Sequence, residues 1–355
     1  MRVVLYTDAV ETGGAEVCLR NLVAYLSPEL DVAIVCVDED VAALVASGRP
    51  DAATEVVRAP ASSLDGPALA AHARALRRLR PHILHCNLWS PWSCQYAVAG
   101  AMAVPSTRVV AVYHLPVSAV NAQQRVLKRV SSLRVAAHVA VGKRTAREIE
   151  ALIPLRAGSV RTIHNGVSTD EPPATRTPNA GEPTIGAIGR IEPQKGLDVL
   201  LRALSLLPRA RLRIVGDGSC RSELERLAVT LGVADRVMWT GWRHDVRAEL
   251  ARLDLFVQPS RFEGFPLAIL EAMVAQLAVV ATDVGSVADA VIDGATGVLV
   301  QPEDPRALAN AIESLLDDAG ARAELGRRAR AHVLERFTAE RMAAAYESLY
   351  NQIAR

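Results

Sequence analysis

The chain has 355 residues, of which 50% are hydrophobic and 22% charged. That is enough apolar side chain for two domain-sized cores, and it excludes a mostly disordered protein. Lys+Arg number 40 against 39 Asp+Glu, and this near-neutral balance argues against a dedicated nucleic-acid binder. The five cysteines (Cys18, Cys36, Cys86, Cys94, Cys220) are scattered without a CxxC pair, so neither a disulfide scaffold nor a structural zinc site is expected.

The opening segment MRVVLYTDAV reads as a β-strand. It lacks the apolar core and small-residue cleavage site of a signal peptide. No run reaches the roughly 18 apolar residues of a membrane span. A cytoplasmic protein is therefore expected. Gly13-Gly14-Ala15-Glu16 follows the first strand and opens a helix at 15–26, as either a plain βα turn or a place where a ligand meets the backbone. Further β-branched runs at 32–37, 82–85, 109–113 and 137–141 predict strands, with a helix at 68–79 between them. Strand–helix alternation implies a parallel sheet covered on both faces. Asp38-Glu39-Asp40 reads as an acidic turn. His114 closes the strand at 109–113; alone it is a core or loop histidine. Arg125, Lys128, Arg129 and Arg134, followed by Lys143, Arg144 and Arg147, form a basic cluster. It suits a solvated helix face, or a surface facing anionic lipid or a phosphorylated acceptor.

Residues 170–183, DEPPATRTPNAGEP, carry no apolar period and predict a linker at 171–183 after a first domain at 1–170. The alternation then restarts: strand 184–188, helix 196–207, strand 211–215, helix 221–231 and strand 237–240. Strand 255–257, helix 266–275, strand 279–282 and helices at 305–317 and 338–353 complete a second domain at 184–335 and a terminal helix at 336–355. The terminal helix is expected to pack back on the first domain. Ligands of such sheets bind outside the carboxyl ends of the strands.

Two strings in the second domain carry chemistry. Arg261-Phe-Glu-Gly-Phe-Pro-Leu-Ala-Ile-Leu-Glu271 leaves a short strand and enters a helix. Pro266 suits a first helical turn. Gly264 permits close backbone approach, and free N–H groups near 265–268 make an anion or hydroxyl site. Glu263 and Glu271 need not share a helix face and so can address different parts of one ligand. The second string, Gly186-Ala-Ile-Gly189-Arg190-Ile-Glu-Pro-Gln-Lys195-Gly196, places two cations in a loop beside a helix start. That pairing suits a diphosphate. Lys195 is one of three lysines against 37 arginines. Neither string is a Walker A loop or a GxGxxG fingerprint, and the missing fingerprint argues against a dehydrogenase.

Taken in order, these segments resemble glycosyltransferase family 4. Gly189-Arg190 and Lys195-Gly196 match its GR…KG segment, and Glu263 with Glu271 matches its E-x7-E pair. Gly13-Gly14-Ala15-Glu16, Asn165-Gly166-Val167, residues 212–218, Asp283-Val284-Gly285 and Asp293-Gly294…Thr296-Gly297 match flanking segments. The resemblance implies an α/β protein of the GT-B fold: two Rossmann-like domains facing a central cleft, acceptor-binding first and nucleotide-sugar-binding second. It implies a retaining transferase of the hexosyl type that needs no metal or cofactor. Arg190 and Lys195 would bind the donor diphosphate, Glu271 the ribose, and Glu263 with Gly264, Phe265, Pro266 and Leu267 the transferred sugar. His114, Gly13, Gly14 and Gly189 would lie near the donor, and Gly241-Trp242 would meet the base. Asp38-Glu39-Asp40 imitates the DxD metal motif of another glycosyltransferase fold and is not assigned that role.

Departures from the family pattern are Gln276 and Ala278 for the usual Gly and Pro, Ser286 for a glycine, Asp289 for a glutamate, and His164 where proline is common. None removes a cation or carboxylate of the core set. The expected partners are a nucleotide-sugar donor and a carbohydrate, lipid-linked or small-molecule acceptor, with peripheral contact at the inner face of a membrane and no nucleic acid. Alternatives are a GT-B epimerase or phosphorylase, and a catalytically silent nucleotide-sugar binder.

Overall fold

The computed structural model describes all residues except 63–64, 118–121, 154, 171–180 and 244. The chain divides into two units, Met1–Ser168 with Ala339–Arg355, and Thr169–Thr338. Of the linker expected at 171–183, residues 171–180 lie outside the described residues.

The first unit holds strands β1 (Arg2–Thr7), β2 (Asp31–Cys36), β3 (Ala53–Val56), β4 (Ile83–Leu88), β5 (Arg108–Tyr113), β6 (Val135–Ala140) and β7 (Val160–Thr162). They form one parallel sheet in the order β3-β2-β1-β4-β5-β6-β7. Central strands such as β4 are buried along their whole length, as expected of a sheet covered on both faces. Its helices are α1 (Gly14–Tyr25), α2 (Glu39–Ala46), α3 (Gly66–Leu79), α4 (Gln95–Gly100), α5 (Ala122–Ser132) and α6 (Lys143–Leu152). The acidic turn expected at Asp38-Glu39-Asp40 is instead the start of α2. The Asp38 carboxylate accepts from the backbone N–H of Asp40 and Val41, and Glu39 and Asp40 occupy the first turn, where negative charge is favoured.

The second unit holds β8 (Thr184–Ile188), β9 (Arg211–Val215), β10 (Val237–Trp239), β11 (Leu255–Gln258), β12 (Val279–Thr282) and β13 (Val298–Val300). They are parallel, in the order β10-β9-β8-β11-β12-β13. Its helices are α7 (Leu197–Ser205), α8 (Arg221–Thr230), α9 (Val246–Leu250), α10 (Leu267–Val274), α11 (Val287–Ala290), α12 (Pro305–Asp317) and α13 (Ala319–Arg336). Two predicted starts move by one residue. A 3₁₀ turn at Pro193–Lys195 precedes α7, and Pro266 is the N-cap of α10 rather than its first residue. Helix α13 escaped the sequence reading because its buried stripe, Leu325, Gly326, Ala329 and Val333, is narrow and half made of small residues.

Helix α14 (Ala339–Ala354) belongs to the first unit. The backbone N–H of Ala339 donates to Val167 O, and that of Ser27 donates to Glu347 Oε1. The Tyr350 hydroxyl lies 2.6 Å from His85 Nδ1 on β4.

Both sheets reverse strand order once, at β1/β4 and at β8/β11. Loops on either side of such a point leave toward opposite faces and open a crevice between them. The two chemical strings of the second unit follow β8 and β11, and so flank its reversal point.

Candidate functional site

At the reversal point of the second sheet a small cavity is lined by Gly189, Arg190, Lys195, Leu197, Gln258 and Pro259, among others. The loop after β8 and the loop after β11 are held edge to edge. Gly196 has φ +61, and a Cβ there would stand 2.1 Å from Pro259 O. Arg261 N donates to Gln194 O at 2.8 Å, and Gln194 Nε2 donates to Phe262 O at 2.9 Å. Arg261 clamps the pair. Its Nη1 and Nη2 each donate to Asp198 at 2.8 Å, and Nη1 also reaches Pro193 O at 2.7 Å. Hydrogen bonding to Asp198 is the largest influence keeping this guanidinium charged.

Glu263 is 4% exposed. Its Oε1 accepts three bonds: from Lys195 Nζ at 2.6 Å, Ser260 Oγ at 2.7 Å and Gln258 Nε2 at 2.8 Å. A buried carboxylate needs such compensation. The effect on Lys195 is positional: its ammonium is tied to one place on the cavity wall. A third loop supports the arrangement. Gly285 has φ +52, and a Cβ there would lie 1.7 Å from Glu263 O. Ser286 N donates to Gly264 O at 2.9 Å.

The other sequence-predicted residues of this unit take the following places. Arg190 is exposed in the same loop as Lys195. Gly264, Phe265 and Leu267 are buried, and the Phe265 ring lies 5.1 Å from that of Phe337, tilted at 57°. Pro266 caps α10 without a side-chain bond, so the first N–H groups of that helix have no side-chain cap. Glu271 lies half-buried on α10. Gly241 has φ +70 and receives the N–H of Gly216 at 2.9 Å; the next residue, Trp242, is half exposed. Gln258, Ser260 and Asp198 were missed by sequence reasoning. Uncharged or common residues in turns carry no signal until the buried group they serve is known. Among the described residues no cluster of three His, Cys, Asp or Glu is placed to hold a metal.

His114, Gly13 and Gly14 lie in the first unit. His114 follows β5, is 7% exposed, and lies 2.7 Å through Nε2 from Asn87 Oδ1. Asn87 Nδ2 donates to Ala15 O at 3.1 Å. That second bond orients the amide, so Oδ1 is the acceptor and His114 carries its proton on Nε2. Burial lowers the His114 pKa to about 4, which keeps the ring neutral at pH 7. Asn87 thereby links His114 to the loop of Gly13 and Gly14. It too was missed by sequence reasoning, because an asparagine at a strand end carries no signal by itself.

Residues 12–171 match the family model Glycosyltransferase Family 4, and residues 182–318 match the model Glycosyl transferases group 1. The chain belongs to the family 4 glycosyltransferases. Among curated relatives of this family 4 chain is the lipopolysaccharide core biosynthesis mannosyltransferase LpcC of Rhizobium leguminosarum bv. viciae, 36% identical over 182 residues (49% of this chain, 52% of the relative). Another is the alpha-D-kanosaminyltransferase of Streptomyces kanamyceticus, 37% identical over 142 residues (38% of this chain, 37% of the relative). The chain spans about half the length of LpcC and 37% of the kanosaminyltransferase. The fold is GT-B. The solved structure of Anabaena HepE in complex with UDP-glucose has a TM-score of 0.86 at 22% identity, covering 99% of this chain and 100% of that one. Sucrose-phosphate synthase from Thermosynechococcus elongatus has a TM-score of 0.84 at 20% identity, with 99% of each chain covered.

Two departures of this family 4 chain now have a structural account. Gln276, in place of glycine, still adopts φ +58. Gly326 of α13 faces it, where a Cβ would stand 2.1 Å from Gln276 O. Ser286 bonds Gly264 through its backbone, which a glycine would do equally.

Proposed function

We propose that the chain transfers a sugar from a nucleoside-diphosphate sugar to an acceptor hydroxyl, with retention and without a metal. The observation that carries this reading is the Lys195–Glu263 pair at the reversal point of the second sheet, anchored by Gln258 and Ser260. Cleavage of a sugar–diphosphate bond builds negative charge on the leaving group. Fixed donors aimed at that charge lower the barrier, because no reorganisation is needed at the moment of reaction. Arg190, Lys195 and the N–H groups opening α10 are the donors in this reading. Each charge-assisted bond contributes roughly 1.5–3 kcal/mol net. Glu271 then takes the ribose hydroxyls, Glu263 and the residues after it meet the sugar, and Gly241-Trp242 meet the base. His114, neutral and held by Asn87, serves the sugar side, with Gly13 and Gly14 nearby. The proposed acceptor is a carbohydrate, lipid-linked or small hydroxylic molecule of bacterial glycan, glycolipid or natural-product assembly. The proposed location is cytoplasmic, at the inner face of a membrane.

The test is thermal stabilisation by UDP, GDP, ADP, dTDP and NAD without added metal. A ligand that binds only the folded state raises its melting temperature. A shift with one nucleoside diphosphate is expected, followed by glycoside product with the matching sugar donor. A shift with NAD alone, or with none, overturns the reading.

A further inference from the structure

Among the described side chains of α5, Lys128 and Ser132 face inward while Val126 and Val130 face outward. Lys128 is 2% exposed and Ser132 9%, whereas Val126 is 63% exposed, Val130 62% and Leu133 86%. Residues four apart share a helix face, so Val126 and Val130 point outward together, and Leu133, in the turn that follows the helix, is exposed next to them in sequence. The inward lysine has its own partners. Its ammonium stands 5.0 Å from the centre of the Tyr113 ring. The basic cluster expected from sequence is therefore not a uniformly solvated face. Lys128 is buried, and Arg134 donates through Nη2 to the carbonyls of Ala101, Val104, Pro105 and Thr107. Those bonds fix the turn at Ala101–Ala103, whose Met102 is 72% exposed, beside the end of α5. Leu133 and Met102 are the two most exposed large apolar side chains among the described residues.

The charge along this stretch of the chain has one sign. Arg125 and Arg129 are exposed on α5 itself. Residues 66–147 contain 12 Lys/Arg and no Asp or Glu. Exposed apolar residues lying between exposed arginines match the two requirements of an interfacial helix: area to bury among acyl chains and cations for the headgroups. A second copy of the chain is a poor occupant, since pairing this face with itself sets arginine against arginine.

We infer that α5, with Met102, is a docking face for an anionic lipid bilayer, entered by Val126, Val130, Leu133 and Met102 and steered by Arg125 and Arg129. This inference does not depend on the transferase reading, because lipid binding is measured without nucleotide.

The experiment is co-sedimentation of the purified chain with phosphatidylcholine vesicles, with and without phosphatidylglycerol, at low and high salt. Binding is expected only with phosphatidylglycerol and weaker at high salt. Val130→Asp/Leu133→Asp should lose binding at least about tenfold. Arg125→Gln/Arg129→Gln should lose roughly fivefold per arginine removed. Unchanged melting curves confirm that both variants fold. Failure of the wild type to bind, equal binding to neutral vesicles, or wild-type binding by both variants overturns the inference. So does self-association on gel filtration that Val130→Asp/Leu133→Asp abolishes, since the face would then belong to a second copy. A chain that binds vesicles but no nucleoside diphosphate keeps this face and loses the proposed activity; the reverse result separates them the other way.

Discussion

Lys195 and Glu263 stand 68 positions apart in sequence and 2.6 Å apart in space. The carboxylate is buried and shared with Ser260 and Gln258, so it holds the lysine rather than the reverse. Lys195→Ala should cut kcat/KM by about 10²–10³-fold, the usual cost of removing one charge-stabilising donor. Leaving Glu263 with two neutral donors should also cost about 1–3 kcal/mol of stability. Initial rates and a denaturant titration read the two effects separately. Turnover like the wild type would remove Lys195 from the site.

Gly196→Ala and Gly232→Ala form a matched pair. Both glycines have positive φ, +61 and +67, but only Gly196 has an atom in the way, Pro259 O at 2.1 Å. Gly232→Ala should cost the left-handed backbone energy, about 1–2 kcal/mol, less the roughly 0.4–1 kcal/mol gained by stiffening the unfolded chain. Gly196→Ala should cost more and weaken nucleotide binding as well, because it forces apart the loops after β8 and β11. Equal melting temperatures in the two variants would contradict this.

Asn87→Asp tests the hydrogen bonds around His114. A carboxylate cannot donate to Ala15 O, and it places negative charge beside the imidazole. The His114 pKa, held down to about 4 by burial, should rise by about 1–3 units, as an adjacent opposite charge predicts. Histidine titration by NMR measures it. No movement would mean that Asn87 does not face the ring.

Gln276→Gly should stabilise the protein. The glutamine holds φ +58, at a cost of about 1–2 kcal/mol. Glycine removes that cost but gives up about 0.4–1 kcal/mol through a more flexible unfolded chain. The net expectation is a melting temperature higher by a few degrees, with nucleotide affinity unchanged.

Acid should destabilise the first unit before the second. Burial lowers the pKa of His114 and His138 to about 4 and of His85 to about 3. Between those values and the ordinary 6.5, the unfolded chain binds more protons than the folded one, so stability falls as pH drops through that window. Hydrogen exchange at pH 7 and pH 5 should show protection lost first in β4, β5 and β6, where these residues lie or which they follow. Uniform loss across both units would contradict the assignment.

The buried strands were legible because buried parallel strands are continuous apolar runs, whereas β3, β7 and β13, short and only partly buried, were not read. The expected sites of Gly189, Arg190, Lys195, Glu263 and Glu271 could be read as loop–helix strings from local composition. Helix α13 was not legible, since a stripe of Leu325, Gly326, Ala329 and Val333 carries little periodic signal. The capping role of Asp38 was hidden because an aspartate before an apolar run suits a turn as well as a helix start. Lys128 was misplaced on the solvent face, since a lysine beside three arginines looks solvated until the Tyr113 ring is found beneath it.

Local pattern by itself determined the strand–helix alternation in outline, the two-unit layout and the loops that hold the cations and carboxylates. These depend on neighbours a few residues away. Which groups meet was decided only by the tertiary structure: Lys195 with Glu263, Arg261 with Asp198, Asn87 with His114 and Ala15. Each of these contacts joins residues far apart in sequence. Strand order, close approach at Gly196 and Gly285, and burial of the partner set them, and none of these is a property of a sequence window.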